Sequence, residues 1–120
     1  MSARRVAQLA GRRPGTVTQF ADVTLMALAS VDQRAARDFV AAELGPLAAQ
    51  DDDTRRLAAT LRAYLEERSS PRRTVQRLGV HENTIANRLR AVEELRGRPA
   101  DERIAETLIA LRLARLVAQD

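Results

Sequence analysis

Apolar residues recur at helical spacing in successive segments along most of the chain. Apolar positions three and four residues apart fall on one face of a helix and leave the opposite face polar. The pattern therefore predicts an all-α fold, a compact helical domain of about five to six helices. Two of these helices are separated by only a few residues, and that short connection is the most informative part of the chain.

The first part of the chain divides into two segments. Residues 1–15 are basic and contain Gly and Pro without a regular apolar pattern, which predicts a flexible arm. Residues 16–50 are predicted to be a helical segment, opened by a brief extended piece at Thr16-Val17-Thr18. Two helices follow, with apolar stripes formed by Phe20, Val23, Met26 or Ala27, and Leu28, and then by Ala35, Ala36, Phe39 and Val40.

The ends of the second of these helices can be predicted from single residues. Asp32 is placed to cap its free amides, and Gly45-Pro46 stops it. Because Glu43 is charged, the apolar stripe is expected to finish through Leu44 instead.

A third helix is predicted to carry Leu57, Leu61, Tyr64 and Leu65, with Asp51, Asp52 and Asp53 at its positive N-terminal end. The acidic triplet could instead bind a metal ion. It lacks the glycine and the distal glutamate of a calcium loop, so capping is the favoured interpretation and no metal site is predicted.

A short helix, a turn and a second amphipathic helix follow in close succession. Ser70 can cap a helix that begins at Pro71, where the missing N–H costs nothing. Thr74, Val75 and Leu78 share one side of it, and Gly79 supplies the left-handed conformation that ends a helix. After Val80 and His81, the segment from Glu82 to Leu95 places Ile85, Leu89 and Val92 on one buried stripe.

This layout predicts a helix-turn-helix, in which the outer face of the second helix enters the major groove of DNA. The residues expected to face base edges are Glu82, Asn83, Asn87 and Arg90. Phosphate contacts are expected from Arg72, Arg73, Arg77, His81, Thr84 and Arg88, the last two of which could also be structural. The alternative is a helical protein-interaction or dimerisation module in which the turn merely joins two packed helices, without DNA binding.

The last helix is predicted from Asp101 to Val117. Its apolar residues are Ile104, Leu108, Ile109, Leu111, Leu113, Leu116 and Val117, a stripe too wide for a single contact. The helix is expected to pack on both the core and a second protomer of a homodimer, and burial within one subunit is the alternative.

The turn and its second helix resemble the C-terminal helix-turn-helix of the PucR/CdaR family of bacterial transcription regulators. The residues that carry the likeness are Val80-His81-Glu82-Asn83-Thr84-Ile85-Ala86-Asn87-Arg88-Leu89 and Val92-Glu93-Glu94-Leu95. The family pattern there is V-H-x-N-T-[LVI]-x-Y-R-L-x-R-[IV]-E-E-L. Upstream, Leu61–Glu66 is similar to the family's L-x-x-Y-L helix, and Phe39–Leu47 to its F-V-x-x-x-L-G-P-L segment.

The likeness extends from Phe20 to Val117 and implies that residues 51–120 form a PucR-type helix-turn-helix domain. Asn87 stands where the family usually has Tyr, Ala91 where it often has Arg, and Glu82 where a basic residue is common. These positions are on or beside the outer face, so the departures concern the preferred DNA sequence and not the fold. Family members generally carry a sensory region before this domain, so a small-molecule effector is expected only if such a region exists elsewhere, and the chain looks like a C-terminal piece or a shortened regulator.

Composition agrees with a small regulator of 120 residues. All 20 basic residues are Arg, which gives a net charge of +4. Arg binds phosphate and guanine edges in a bidentate way, although a GC-rich genome explains an Arg bias equally well. The arginines that crowd around the motif are Arg68, Arg72, Arg73, Arg77, Arg88, Arg90, Arg96 and Arg98.

The remaining features exclude several classes of protein. With no cysteine, the chain has no disulfide, thiolate metal site or cysteine nucleophile. His81 is the only histidine and no second His follows four residues later, so neither an enzyme active site nor a cofactor is predicted. No apolar run is long enough for a bilayer and the start lacks the apolar region of a signal peptide, which predicts a cytoplasmic protein without a membrane partner. The predicted partner is double-stranded DNA, because of the helix-turn-helix.

Overall fold

In the computed structural model, which describes residues 17–117, six α-helices follow one another. They are α1 (Val17–Val31), α2 (Gln33–Leu44), α3 (Asp52–Glu66), α4 (Pro71–Leu78), α5 (Glu82–Arg96) and α6 (Ile104–Val117), with a short 3-10 helix, η1 (Gly45–Ala48), between α2 and α3. The described residues contain no strand, and the prediction of an all-α fold is confirmed. No helix within this range is long and apolar enough to span a bilayer.

Two boundary predictions are wrong. Val17 and Thr18 belong to α1, so they are helical and not extended. The last helix begins at Ile104, because residues 100–103 form a turn in which Arg103 takes a positive φ of 56°. The predicted arm at residues 1–15, like Thr16, lies outside the described residues.

Predicted helix caps account for how α2 and α3 begin. The Asp32 carboxylate accepts the backbone N–H of Ala35 at 2.9 Å, and the Asp51 carboxylate accepts that of Thr54 at 3.0 Å. Each cap satisfies an amide that the first helical turn leaves without a partner. The acidic triplet therefore acts as predicted at its first residue, since Asp51 is the N-cap and the other two aspartates lie in the first turn of α3.

One apolar core joins five of the six helices and η1. α2 lies along α6, α3 packs against both α4 and α5, and η1 contacts α3 and α5. The centre of the core contains Leu44, Leu47, Leu61, Leu65, Val92, Ala110 and Leu111, all less than 5% exposed. On α1 the buried stripe passes through Met26 and Ala29, whereas Ala27 is exposed and Leu28 is 62% exposed.

Glu43 is buried, which contradicts the expectation that its charge would exclude it from the inner face of α2. Its side chain is 8% exposed and lies between two arginines of the α5–α6 connection. Arg103 donates to its carboxylate at 2.6 Å, and Arg98 donates to it at 3.2 Å and to its backbone carbonyl at 2.6 Å. A buried charge persists when it is paired and hydrogen-bonded. This cluster ties the connection before α6 to the end of α2.

The arginines also give the cluster a pH dependence. The hydrogen bond from Arg103, with the nearby charges of Arg103, Arg98 and Arg96, holds the pKa of Glu43 below its ordinary value of 4.5. A carboxyl whose pKa is lowered by folding stabilises the folded state at pH above that ordinary value. The contribution is lost as pH falls through the lowered pKa.

We expect Glu43→Gln to lower the free energy of unfolding at pH 7 by about 1–3 kcal/mol, because two guanidinium groups lose their carboxylate. The variant should also lose less stability than the wild type between pH 5 and pH 3 (about the range in which a carboxyl of lowered pKa titrates). Urea unfolding at each pH measures both effects. Glu106→Gln is the control, because Glu106 lies 3.8 Å from the same Arg103 and its side chain is 42% exposed, against 8% for Glu43. Parallel stability curves for the wild type and Glu43→Gln would contradict the assignment.

Candidate functional site

The connection between α3 and α4 sets where the candidate site begins. Two residues in it that are not glycine, Arg68 and Ser69, take positive φ values of 57° and 59°. The backbone N–H of Ser69 reaches the carbonyl of Tyr64 at 2.8 Å and that of Ser70 reaches Glu67 at 3.1 Å. Left-handed conformations at such residues carry a steric cost, so they occur where the surrounding contacts enforce them. The sequence shows no glycine here that would have predicted this turn.

Helix α4 has the caps that its sequence predicts. The Ser70 hydroxyl accepts the backbone N–H of Arg73 at 3.2 Å, and Pro71 occupies the first position. Thr74 is completely buried, and its hydroxyl donates to the Ser70 carbonyl at 2.7 Å. At the other end Gly79 has a φ of 68°, and its N–H meets the Val75 carbonyl at 2.9 Å. The predicted helix and its glycine turn are confirmed.

Helix α5 begins at an imidazole cap. Nδ1 of His81 accepts the backbone N–H of Asn83 at 3.1 Å, which places the ring proton on Nε2 in the neutral side chain. Ile85 and Val92 are 1% and 0% exposed, and Leu89 is partly buried. This stripe packs on α3, α4 and η1. The inner face of the second motif helix is therefore the one that the spacing predicts.

The four residues expected to face base edges are all exposed: Glu82, Asn83, Asn87 and Arg90. At about 100° per residue, Asn83, Asn87 and Arg90 lie within about 60° of one another around the helix, opposite Ile85 and Val92. Nη1 of Arg90 donates to Oδ1 of Asn87 at 3.2 Å. The structure therefore brings three of the four into one row.

Two acidic side chains border that row. Glu82 lies on its flank, about 100° from Asn83. Glu94 is exposed and continues the same row one turn beyond Arg90, although sequence reasoning had not singled it out as part of this face. A carboxylate repels the phosphates of a nucleic acid, so Glu94 disfavours an anionic partner at the C-terminal part of the row, while Glu82 puts the same charge beside its N-terminal end.

The residues expected to contact phosphates fall into two groups. Arg72 and Arg73 are exposed in the first turn of α4, and neither side chain has a hydrogen bond or ion pair with the described part of the chain. His81 is exposed, and with Nδ1 turned to its own helix it keeps the Nε2–H donor. Thr84 is partly buried.

Arg77 and Arg88 form the second group, because each already has a partner on α3. Arg77 donates to Glu66 at 2.7 Å and to Glu67 at 3.3 Å. Partial burial alone would raise the pKa of Glu66, but the hydrogen bond and charge of Arg77, with those of Arg62, outweigh it and hold that pKa below its ordinary value. Arg88 donates to the buried hydroxyl of Thr60 at 3.3 Å. These partners are distant in sequence, so local patterns gave no sign of them.

The arginines around the motif therefore do not form one uniform basic surface. Arg96 donates to the buried Thr107 at 2.8 Å, and Arg98 belongs to the Glu43 cluster. Of the eight arginines that crowd the motif, four are bonded to side chains of other structural elements: Arg77, Arg88, Arg96 and Arg98. The exposed positive charge of the motif comes mainly from the other four.

Comparison with known proteins agrees with this geometry. A family model described as the PucR C-terminal helix-turn-helix domain matches residues 57–117. A stretch of 50 residues is 44% identical to an uncharacterized protein in the pkwA 5′ region of Thermomonospora curvata. That alignment covers 42% of this chain and 28% of the relative, so the matched part of the chain spans less than a third of that protein. No solved structure matches the chain.

The Gly79 turn allows a direct test of the motif geometry. A Cβ added at Gly79 would meet nothing within 4 Å, so Gly79→Ala introduces no clash with other residues. Its only cost is that of a left-handed backbone at a residue with a Cβ, and we expect it to lower the free energy of unfolding by about 1–2 kcal/mol. Gly79→Asn should cost less, because Asn tolerates the left-handed region. Urea unfolding of both variants measures the difference. Equal stability of wild type and Gly79→Ala would mean that the turn does not hold this conformation.

Proposed function

Because this chain belongs to the PucR C-terminal helix-turn-helix domain family, we propose that it is a sequence-specific DNA-binding transcription regulator. The observation that carries the proposal is the exposed row of Asn83, Asn87 and Arg90 on α5, opposite the buried Ile85 and Val92. A helix with one polar face open to solvent and its other face fixed on a core can enter the major groove of double-stranded DNA.

The residue types in the row fit base edges. Asn pairs best with adenine and Arg with guanine, and a carboxylate such as Glu82 can accept from the amino group of cytosine. The hydrogen bond between Arg90 and Asn87 holds the two side chains side by side before DNA arrives. Arg90 keeps further donors for a guanine. We therefore propose that Asn87 and Arg90 read neighbouring base pairs, with Asn83 and Glu82 nearer the N-terminal end of the helix.

Phosphate contacts would position the helix without selecting a sequence. Arg72 and Arg73 are the strongest candidates, because they are exposed in the helix that crosses the DNA backbone in such motifs. His81 would donate through Nε2. Arg77, Thr84 and Arg88 stay in the proposed set as secondary contacts. Arg77 would have to exchange a carboxylate of Glu66 or Glu67 for a phosphate oxygen.

We further propose that the chain acts as a homodimer, since helix-turn-helix proteins commonly read two half-sites through a protein two-fold axis. The observation that favours it is a pair of large apolar side chains on one face of α1. Leu28 is 62% exposed and Val31 is 85% exposed. On α6, Ile104 and Ile109 are each 40% exposed, while Leu111, Leu113 and Leu116 are buried within the subunit.

Substitutions should separate base reading from phosphate binding. We expect Asn87→Ala and Arg90→Ala to relax the choice of base at single operator positions, at a cost of about 1–3 kcal/mol each on the preferred duplex. Arg72→Ala and Arg73→Ala should weaken binding to all duplexes and reduce the slope of log affinity against log salt by about 1 each.

Fluorescence anisotropy measures these effects at two salt concentrations, on a duplex selected from random DNA for binding to the wild type and on a scrambled version of it. Arg34→Ala is the charge-matched control, because Arg34 is exposed on α2 outside the motif. Salt-insensitive or undetectable binding by the wild type would refute the proposed function. Equal losses on both duplexes for every variant would refute the division into base and phosphate contacts.

The dimer can be tested on α1. Val31→Glu and Leu28→Glu should shift the wild-type dimer to monomer, because burying an unpaired carboxylate opposes association. Ala42→Glu, at an exposed position of α2, should leave it unchanged. Sedimentation velocity measures the distribution. A monomeric wild type, or variants that associate as it does, would exclude this face as the interface.

A further inference from the structure

A groove of about 600 Å³ opens to solvent on the side of the molecule formed by η1, α3, the end of α4 and α6. Its walls are predominantly leucine and alanine side chains from all four elements, among them Leu47, Ala59, Leu78 and Leu111. The volume falls within the range of sites that hold small molecules. An apolar groove of this size on a small domain has room for a ligand and not merely for a single ordered water.

All of the charged residues that line the groove are arginines: Arg55, Arg62, Arg77 and Arg115. None of its described lining residues is acidic. An apolar site with convergent positive groups is complementary to a molecule that is itself apolar with one negative end.

Arg62 and Arg77, which both line the groove, meet at the carboxylate of Glu66. Three guanidinium groups approach Glu66, those of Arg77 at 2.7 Å, Arg62 at 3.2 Å and Arg112 at 4.0 Å. Glu67, 3.3 Å from Arg77, is the second carboxylate of this cluster. Since a guanidinium carries five N–H donors, Arg62 and Arg77 retain donors for a further carboxylate.

We propose that this groove binds a small molecule consisting of an aliphatic chain and a carboxylate. The chain lies on the leucine and alanine walls, and the carboxylate lies against Arg62 and Arg77. The chain's own N-terminal residues are a poor occupant, because residues 1–16 contain four arginines and no acidic residue. A nucleic acid is equally unsuited to the apolar walls, since they offer it neither base-edge partners nor a row of phosphate contacts.

The groove adjoins the proposed DNA-binding motif, and this part of the inference rests on the proposed function. Arg77 and Leu78 form the end of α4 next to the Gly79 turn, and both line the groove. When a ligand carboxylate is hydrogen-bonded to Arg77, that side chain is no longer available to contact a DNA phosphate. Occupancy of the groove should therefore lower affinity for DNA, and DNA should lower affinity for the ligand by the same factor.

The test uses the full chain and decanoate, kept below the concentration at which it forms micelles, with decanol as the neutral comparison. Isothermal titration calorimetry measures affinity. We expect decanoate to bind roughly tenfold or more tightly than decanol, a difference of about 1.4 kcal/mol. No binding of decanoate, or equal binding of decanoate and decanol, would overturn the proposal.

Two variants and a matched control locate the site. Ala59→Trp, at an exposed lining position of α3, should fill the groove and weaken decanoate binding by roughly tenfold or more. Ala42→Trp introduces the same side chain at an exposed position of α2 outside the lining and should leave affinity unchanged. Arg62→Met keeps the apolar stem and should bring the decanoate and decanol affinities together. Wild-type decanoate affinity in folded Ala59→Trp or Arg62→Met would overturn the assignment.

Titrating decanoate with and without the selected duplex separates the two proposals. DNA binding without decanoate binding refutes the groove and leaves the proposed function standing. Decanoate binding without DNA binding supports the groove and refutes the proposed function. Binding of both without mutual effect refutes the coupling through Arg77.

Discussion

The burial of Ile85 and Val92 is the contact on which the arrangement of the motif depends. These two side chains fix the inner face of α5 on α3 and η1, and by doing so they determine which residues α5 presents to solvent. If the helix rotated by one residue, about 100°, the row of Asn83, Asn87 and Arg90 would no longer point straight into solvent. Polar side chains would enter the core in place of Ile85 and Val92. Because a buried polar group without a partner is costly, the apolar stripe enforces the outward row.

Buried threonines connect this core to the arginines around it. Thr60, Thr74 and Thr107 are 1%, 0% and 0% exposed. The hydroxyls of Thr60 and Thr74 donate to carbonyls four residues earlier in their own helices, so a small side chain can sit at a helix contact without an unsatisfied donor. The same hydroxyl at Thr60 accepts from Arg88, and that at Thr107 accepts from Arg96. Thr60 and Thr107 thus pack as small residues and each orients a neighbouring arginine, whereas Thr74 bonds only to the backbone of its own helix start.

The parts of the fold that could be predicted from the sequence are those set by local chemistry. Asp32, Asp51 and Ser70 cap helices because their side chains reach amides three residues later, and Gly79 ends α4 because its φ is positive. Each of these effects operates within a few residues. The parts that could not be predicted depend on partners far away in the chain. The burial of Glu43 required Arg98 and Arg103, which lie 55 and 60 residues later, and no local pattern contains that information.

The same reasoning limits what a cluster of arginines along a sequence can reveal. An arginine stabilises a fold when a carboxylate or hydroxyl of another element lies within reach, and it can bind an external anion when none does. Arg77 and Arg88 have such partners on α3, whereas the Arg72 and Arg73 side chains have none within the described part of the chain. Arg77 is intermediate, since it is paired and yet 41% exposed. Of these four arginines, it is therefore the one whose partner a phosphate or a ligand carboxylate could most readily replace.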